Sequence, residues 1–408
     1  MAEEFKIGKL TFEITSSTEV SLKSADQDIT KVFLGETVDY QGKTYTLTEI
    51  GEEAFFRCSS LTSITIPCSV EDIERMAFFN CKSLTSVTIL SCRRRFRLGI
   101  RYGAFIGCSS LKSVTIPDNI KKYFNWDAFE GSALYNDPSN WENGALYIDN
   151  CLIKLDKDFV GNCTIKENTY LIAEWAFRDC TSLTSVTIPN SIKIIGDGAF
   201  SGCKSLTSVT IPNSVTEIGS NAFEGCSALA SVTIPNSVTE IGNYIFKDCS
   251  SLTSIVVDIA NEYYDSRGNC NAVIETSTNR LLLGCKNTTI PNSVTGIEWY
   301  AFEGSALYNN PANWENGALY INDCLIQLDK DYAGNYTIKR KTRLIADWAF
   351  DGCTSLTSVT IPNSVTEIGW RAFEGCTNLK TIYIPIGSKA RFAKMDGLED
   401  LQHLLIER

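Results

Sequence analysis

The chain of 408 residues carries 37 basic and 48 acidic side chains, a formal net charge of −11, and 44% of its residues are hydrophobic. An acidic chain of this kind is a poor partner for nucleic acid or anionic membranes. No run approaches the roughly 18 consecutive apolar residues of a membrane helix, so we expect no transmembrane segment.

The first fifty residues lack the repeat that dominates the rest of the chain. Residues 5–14 alternate like a strand, and Tyr40–Tyr45 is typical of a hairpin turn. We interpret residues 1–50 as an N-terminal β cap that seals a core against water. The start has neither the basic head nor the apolar segment of a secretory signal. Either the protein stays in the cytoplasm or its signal peptide is missing from this sequence; we favour a cell-surface or secreted protein.

A repeat of 23 residues runs through the centre of the chain. The text between its cysteines recurs as C-x-S-L-T-S-V-T-I-P-N-S-V-T-E-I-G-x-x-A-F-x-G. Self-similarity at a fixed short period indicates a stacked solenoid, in which each coil buries its apolar face against its neighbours. The cysteines at this spacing form three sets: Cys58 and Cys81; Cys180, Cys203, Cys226 and Cys249; Cys353 and Cys376.

One coil, residues 203–225, indicates how the pattern folds. Val209 and Ile211 alternate with small hydroxyl residues, which predicts a strand with its apolar side chains inward. Pro212 ends that strand because it cannot donate to the ladder. A coil this short leaves little room for a helix, so we expect short strand, turn or 3₁₀ segments on the far side. The residues predicted to return to the core are Val215, Ile218, Ala222 and Phe223.

The run LTSVTIPNSVTEIGSNAFEGC resembles the BspA-type leucine-rich repeats, related to those of treponemes, over about residues 50–385. The resemblance implies a β-rich leucine-rich-repeat solenoid of 23-residue coils, of the right-handed α/β horseshoe or arc type. It also implies a bacterial or protozoan surface protein that adheres to host matrix or other cells through a protein ligand. It implies no catalytic residue and no cofactor. We therefore expect a solenoid over residues 51–385 and, after its helix-like change of pattern, a C-terminal cap over 386–408.

A basic segment interrupts the coil between Cys81 and Cys108. The expected Pro-Asn-Ser-Val text is replaced by an insertion of about four residues that carries five arginines in an otherwise acidic chain. Such a segment is a candidate for docking acidic glycans such as heparin-like chains. A neutral insertion remains the alternative, because most charge runs are solvated faces. The arginines are Arg93, Arg94, Arg95, Arg97 and Arg101.

The chain also contains a longer duplication, in addition to the 23-residue repeat. Residues 128–190 match residues 301–363 at a fixed offset of 173. Each copy carries Trp-Glu-Asn-Gly-Ala-Leu-Tyr-Ile and then a two-strand hairpin pattern, which predicts hairpin insertions near 132–175 and 305–348; a third expansion is predicted near 258–288. Trp141 and Trp314 are candidates for anchoring a protein or stacking on sugars. Packing of the hairpin onto the core is the alternative.

Hydroxyl ladders are predicted along the strand faces. Exposed threonines in these ladders are candidates for binding a protein or a polysaccharide, although β-branched polar residues also simply suit an exposed strand. Because the ladders are nearly identical from coil to coil, specificity is expected in the departures from the repeat. The candidates are Thr187, Thr210, Thr233 and Thr360.

Catalytic and metal chemistry find little support. The one histidine, His403, lies in the C-terminal segment, where it lacks a partner base or a second histidine ligand. The cysteines are expected as buried thiols, with disulfides and metal left as alternatives, and no C-x-x-C pair occurs. Asp156 and Asp158, repeated as Asp329 and Asp331, favour a hairpin turn over a calcium loop.

Three functions follow from these patterns. The first is a non-catalytic adhesion or protein-interaction scaffold on or outside a cell, because coil number can vary without loss of a binding surface. The second is a carbohydrate-binding surface protein that uses the duplicated aromatic inserts, with glycans as partners. The third is a calcium-stabilised structural stalk.

Overall fold

The structure is a computed structural model that describes residues 3–91, 97–116 and 121–408. These residues form a β-solenoid of about 16 turns with a coil length of about 23 residues, which confirms the predicted leucine-rich-repeat fold. The chain folds as two compact units. The first consists of Met1–Cys180 and Pro189–Ser201, and the second of Thr181–Ile188 and Gly202–Arg408.

A regular coil begins with the strand that the Ser-Val-Thr-Ile text predicts, here called the front strand. In Ser231–Ile234, for example, the valine and isoleucine are buried and the hydroxyl residues are exposed, so the predicted alternation is confirmed. Front strands pair in parallel with those of neighbouring coils. In the first unit they are Lys31–Phe33, Ser63–Ile66, Ser86–Ile89, Ser113–Thr115 and Gly161–Thr164. In the second they are Leu183–Thr187, Ser208–Val209, Ser231–Ile234, Ser254–Val257, Gly334–Thr337, Leu356–Thr360, Thr381–Ile384 and Leu405–Glu407.

The far side of each coil holds a second, shorter strand, here called the back strand. It is usually only two residues long, and it also pairs in parallel with its neighbours. In the first unit the back strands are Lys43–Ile50, Asp72–Ile73, Arg97–Ile100, Lys121–Phe124, Leu171–Ile172 and Ile194–Ile195. In the second they are Glu217–Ile218, Glu240–Ile241, Gly296–Ile297, Leu344–Ile345 and Glu367–Ile368.

Phenylalanine and cysteine ladders fill the core between the two strands. Phe55, Phe78 and Phe105 stack with successive ring centroids 4.9 and 5.0 Å apart. The Cys81 thiol donates to the carbonyl of Phe55 at 3.0 Å, and the same bond recurs elsewhere, as from Cys249 to Phe223 in the second unit. Of the fifteen cysteines in the described residues, fourteen are buried, which confirms their predicted burial. A thiol suits this position because it is a small hydrophobe that also donates weakly to a carbonyl.

The N-terminal segment differs from the predicted single strand over residues 5–14. It forms a hairpin, because Gly8 adopts a φ of 60° and turns the chain. The predicted turn at Tyr40–Tyr45 is present, with Gln41 and Gly42 both at positive φ. This sheet continues into the back-strand ladder through Lys43–Ile50. Its strands before Lys43 are Glu4–Ile7, Leu10–Ile14, Glu19–Ala25 and Thr37–Tyr40.

The predicted hairpins are present in all three expansions, and each has a third, two-residue strand that sequence patterns do not indicate. Asp149 and Asn150 turn the first hairpin at positive φ. The strands are Trp141–Glu142, Ala145–Ile148 and Cys151–Leu155; Tyr264–Asp265, Ala272–Glu275 and Arg280–Gly284; Trp314–Glu315, Ala318–Ile321 and Cys324–Leu328.

The helices in the described residues are short. The helix-like C-terminal pattern forms two brief helical segments, after which Leu405–Glu407 pairs with Thr381–Ile384 as a further front strand. No helix in the described ranges is long and apolar enough to cross a bilayer. The α-helices are Ala133–Asn136 and Lys389–Phe392, and the 3₁₀ helices are Pro138–Asn140, Arg267–Asn269, Pro311–Asn313 and Asp396–Leu404.

Candidate functional site

Two aromatic clefts, one in each unit, lie beside the duplicated hairpins. Both contain the same tyrosine of the insert and tryptophans of the adjoining coils. The first cleft, of about 440 Å³, is lined by Trp126, Tyr135, Trp141, Lys154, Leu155, Asp156, Lys157, Trp175, Ala176, Arg178 and Asp179. The second cleft, of about 420 Å³, is lined by Trp299, Glu303, Tyr308, Ile326, Gln327, Asp347, Trp348, Asp351 and Trp370.

The seven tryptophans of the chain are concentrated here. Three line the first cleft and three line the second. The seventh, Trp314, packs edge-on against Tyr308 of the second cleft, with ring centroids 5.5 Å apart. The offset of 173 relates three tryptophan pairs, Trp126 to Trp299, Trp141 to Trp314 and Trp175 to Trp348. Two of these pairs, Trp126 with Trp299 and Trp175 with Trp348, line both clefts, whereas Trp370 of the second cleft corresponds to Asp197.

A fixed backbone corner presents one tryptophan in each cleft. The residue before the Ala-Phe pair has a φ of 60° at Trp175 and 54° at Trp348, a region that bulky residues seldom occupy. Backbone hydrogen bonds hold the corner, since the Trp175 N–H donates to the carbonyl of Asp197 at 2.8 Å. Other coils have the same positive φ at this position, for example at Glu53 and Asn221, so the corner belongs to the repeat and the clefts differ in the indole that it carries.

The next coil determines what lies against that indole. In the first cleft it is Gly198, where an added Cβ would come within 2.4 Å of the Trp175 ring. In the second cleft the matching residue is Arg371, whose guanidinium lies 5.4 Å from the ring centroid of Trp348 and 4.4 Å from that of Trp370. The next coil thus places the backbone of a glycine against the indole in the first cleft and an arginine beside the indole in the second.

Basic side chains lie on the aromatic rings of the first cleft. The Lys154 Nζ is 4.3 Å from the ring centroid of Trp126 and 5.7 Å from that of Tyr135. The Arg178 guanidinium is 5.2 Å from the ring centroid of Trp175. These distances lie within the range of attractive cation–π contacts.

Aromatic edges and faces meet in the second cleft. Trp348 and Trp370 pack edge-to-face with centroids 5.5 Å apart. Trp299 packs edge-on against Tyr244, at 5.3 Å. Trp299 and Trp370 remain about half exposed, at 49% and 52%, so the cleft offers apolar surface to a ligand.

A buried ion pair supports the floor of the second cleft. The guanidinium of Arg280 pairs with the carboxylates of Asp347 and Glu298. Asp347 is 4% exposed, and its Oδ1 accepts the Trp370 N–H at 2.9 Å. Burial raises the pKa of Asp347, although the Arg280 charge acts in the opposite direction. This arrangement ties the backbone of Trp370 to a fixed acidic group.

The predicted binding residues Trp141 and Trp314 are half-buried and their polar atoms are satisfied. Each indole N–H donates to a tyrosine carbonyl, Trp141 to Tyr135 at 2.7 Å and Trp314 to Tyr308 at 2.8 Å. Trp141 lines the first cleft, whereas Trp314 packs against the core of the second unit. Sequence reasoning selected these two and missed Trp126, Trp299 and the corner tryptophans, which the shared offset of 173 could have revealed.

Thr187, Thr233 and Thr360 lie on front strands of the second unit, and Thr210 directly follows the front strand Ser208–Val209. Thr187, Thr210 and Thr233 are exposed and Thr360 is half-buried. The second cleft, as lined by described residues of that unit, does not include them. Their role in binding stays a prediction.

The arginine-rich segment is described only in part. Arg93, Arg94 and Arg95 lie outside the described residues. Arg97 begins a back strand, and Arg101 forms an ion pair with Asp72 at 2.6 Å. Glycan binding by this segment stays a prediction.

The acidic pairs form turns. Asp156 Oδ1 accepts the N–H of Asp158, and Asp329 Oδ1 accepts that of Asp331, both at 3.0 Å. This is the side-chain geometry of an Asx turn, in line with the turn that their sequence favours. Among described residues, no group of three or more His, Cys, Asp or Glu side chains is placed to hold a metal ion.

Comparisons with solved structures give long but distant alignments. A leucine rich cell surface protein from Faecalibacterium prausnitzii is 25% identical, with a TM-score of 0.33, over 97% of this chain and 98% of that one. A leucine-rich repeat protein from Bacteroides ovatus is 23% identical, with a TM-score of 0.31, over 96% and 97%. The pneumococcal vaccine antigen PcpA is 13% identical, with a TM-score of 0.29, over 100% and 97%. No curated protein matches the chain.

The coils themselves match a known family. Six copies of the BspA type leucine rich repeat region cover residues 32–137, 156–271 and 328–395, well over half of the chain. The matched ranges contain most of the front strands and Ala-Phe pairs described above. The chain is thus a member of the BspA-type leucine-rich-repeat family.

Proposed function

We propose that this chain is a non-catalytic cell-surface or secreted scaffold that binds proteins, in adhesion to host matrix or to other cells. The observation that carries the proposal is the pair of aromatic clefts. Tryptophan and tyrosine are enriched in the residues that dominate protein interfaces, because they combine a large apolar area with a polar atom. Six of the seven tryptophans line the two surface clefts, where a partner protein can contact them.

The family and the composition support the same proposal. Proteins with BspA-type repeats are surface-associated bacterial proteins, and such solenoids commonly act as non-catalytic scaffolds. The chain has one histidine, and its repeated aspartate pairs are engaged in turns. Acid–base or nucleophilic catalysis needs a positioned base next to a reacting group, for which these residues offer no arrangement.

The proposal is tested by binding of the purified chain to an array of extracellular matrix proteins and glycans. Saturable binding to a matrix protein is the expected result. A variant with Trp126→Ala and Trp299→Ala alters one equivalent tryptophan in each cleft and is expected to lose that binding. A variant with Thr187→Ala and Thr210→Ala is the comparison for the front-strand face. If the folded chain binds none of the matrix proteins on the array, the proposal is contradicted.

Carbohydrate binding is the second candidate, and the first cleft favours it. Trp126, Trp141 and Trp175 lie there among Lys154, Asp156 and other polar side chains. Rings for stacking beside groups that exchange hydrogen bonds are the usual means of holding a sugar. Binding of soluble oligosaccharides that disappears in Trp141→Ala and persists in Trp314→Ala supports this candidate. Glycan binding without matrix-protein binding favours it over the scaffold.

A further inference from the structure

The two clefts differ in charge at matched positions. At the fixed offset of 173, Lys154 corresponds to Gln327 and Arg178 corresponds to Asp351. The described lining of the first cleft therefore holds three basic and two acidic residues, whereas that of the second holds three acidic residues and no basic one. The same aromatic frame is set in opposite electrostatic surroundings.

The first cleft already contains the cations that its rings attract. Lys154 Nζ lies 4.3 Å from the ring centroid of Trp126, and the Arg178 guanidinium lies 5.2 Å from that of Trp175. A further cation that enters this cleft meets like charge. The first cleft is therefore a cation–π site satisfied by its own chain.

The second cleft retains the rings without those two cations. Gln327 turns its Oε1 to the Tyr308 hydroxyl at 2.9 Å and offers no charge. Trp299 and Trp370 are about half exposed. Asp351 is exposed and makes no ion pair with any described residue. A carboxylate thus stands where the first cleft has a guanidinium.

The remaining charges near the second cleft are paired within the chain. Lys247 pairs with Glu303 at 2.9 Å, and Arg280 pairs with Asp347. Arg371 lies 4.4 Å from the ring centroid of Trp370 and 5.4 Å from that of Trp348, and it pairs with Glu374 at 3.9 Å, but it does not line the cleft. Its position demonstrates that this indole accepts a guanidinium. The charge left for a ligand in the cleft is the negative charge of Asp351.

We infer that the second cleft binds a cationic side chain, arginine or lysine, presented by a protein partner. The inference rests on the proposed protein-binding function and names the chemistry that the partner offers. Ring faces attract a cation, and the nearby carboxylate adds a charge-assisted hydrogen bond. The volume of about 420 Å³ is within the range of small ligand sites.

The experiment uses the full chain and short blocked peptides. Tri-arginine, tri-lysine and tri-glutamate are titrated, with tryptophan emission and calorimetry as readouts, because the indoles line the clefts. Saturable binding of a cationic peptide with a stoichiometry of one, weakening as salt is raised, is expected. Equal binding of tri-glutamate overturns the inference. Binding of tetramethylammonium without either cationic peptide overturns the assignment to a side chain.

Charge-swap variants locate the site. Gln327→Lys with Asp351→Arg gives the second cleft the charges of the first, and we expect binding to weaken about tenfold or more. Lys154→Gln with Arg178→Asp gives the first cleft the charges of the second, and we expect the stoichiometry to rise from one to two. Arg178 and Asp351 are exposed and Lys154 and Gln327 are half-buried, so an unchanged melting temperature checks that each variant folds.

A control variant separates the cleft from the overall charge. Glu167→Gln with Glu262→Lys changes the net charge by the same three units as the first swap, at exposed residues outside both clefts. Its affinity for tri-arginine is expected to stay within about twofold. Equal weakening in the control and in the swap overturns the inference, because it reduces binding to a bulk charge effect.

The matrix array keeps this inference distinct from the proposed function. The inference is overturned if the wild-type chain binds a matrix protein, the second-cleft swap does not reduce that binding, and no peptide binds. The proposed protein-binding function remains in that case. Peptide binding with a silent array supports a cation site and contradicts adhesion to the matrix proteins tested.

Discussion

The indole of Trp175 lies directly on the backbone of Gly198 in the next coil, with no room between them for a methyl group. An added Cβ would meet ring atoms at 2.4 Å, and Gly198 has a φ of 58°. Two independent reasons therefore require glycine at this position: the backbone is left-handed, and the indole leaves no space for a side chain.

We expect Gly198→Ala to lower the free energy of unfolding by about 2–3 kcal/mol. Roughly 1 kcal/mol comes from the left-handed φ and the rest from displacement of the indole. Urea denaturation measures the loss, and tryptophan emission reports the moved ring. Gly352→Ala is the matched control, because Gly352 has a φ of 65° with nothing within 4 Å. Equal losses in the two variants contradict the role of the ring.

Breaking the ion pair below the second cleft is expected to be costly. Arg280→Met leaves Asp347 buried without its partner, and we expect a loss of about 3 kcal/mol. Adding Asp347→Asn should recover much of it, since the amide oxygen can still accept the Trp370 N–H. Arg267→Met, whose partner Asp265 is 29% exposed, is expected to lose about 1 kcal/mol or less. Denaturant unfolding of all three variants compares them; no recovery in the double variant contradicts this account.

The cysteine ladder makes the fold sensitive to alkali. Burial raises the pKa of Cys58 and of Cys180 to about 12, from an ordinary value of 9.0. A thiol whose folded pKa is raised contributes its full stability below the unfolded pKa and loses it as pH rises above 9. Between pH 9 and pH 12, each such thiol lowers the free energy of unfolding by at most about 1.4 kcal/mol per pH unit.

Urea midpoints at pH 8 and pH 10, with reductant present, test this expectation. The midpoint should fall with pH, and less so in a variant with Cys58→Ala and Cys180→Ala. Below pH 8 the buried thiols should also resist aromatic disulfide reagents until the protein unfolds, because the thiolate fraction is about one in ten thousand. A midpoint that stays constant to pH 10 contradicts the prediction.

The arginine-rich segment is expected to bind sulfated polysaccharide. Changing Arg93, Arg94, Arg95 and Arg97 to serine should abolish retention on heparin at low salt, because these arginines are clustered in a chain whose net charge is −11. Arg101→Ser alone should instead lower stability by about 0.2–1 kcal/mol through loss of its ion pair. Retention measured against sodium chloride gives the result.

The comparison variant removes the same charge elsewhere, by changing exposed lysines to serine. Retention lost equally in both variants assigns the effect to net charge. The four lysines changed in this variant are Lys9, Lys31, Lys43 and Lys82, all of them exposed.

Sequence periodicity predicts most of a coil, because one-sided burial of a strand forces apolar residues to alternate. Val209 and Ile218 are buried as expected, and Asp149 and Asn150 turn the predicted hairpin. The alternation over residues 5–14 concealed a turn, since a two-residue turn at Gly8 leaves the alternating pattern nearly unbroken on either side.

The clefts could not be predicted in the same way. Trp126 and Tyr135 come together through stacking of a coil on an insert, and local pattern carries no record of that contact. The pairing of Lys154 with Trp126 depends on side-chain direction across two strands. Only the positions of the tryptophans, repeated at one offset, held a usable signal.

The left-handed corner before most Ala-Phe pairs has a consequence for how such a protein diversifies. The residue there is Glu53, Met76, Trp175, Asn221, Trp348 or Arg371 in different coils, yet φ stays between 50° and 60°. The backbone at this point is set by hydrogen bonds between coils, and the side chain is left to vary. A coil with this corner can therefore present a different side chain after a single substitution, while its backbone stays the same. New specificities can then arise by point substitution at this corner, and duplication of a coil would copy both the corner and the side chain that it carries.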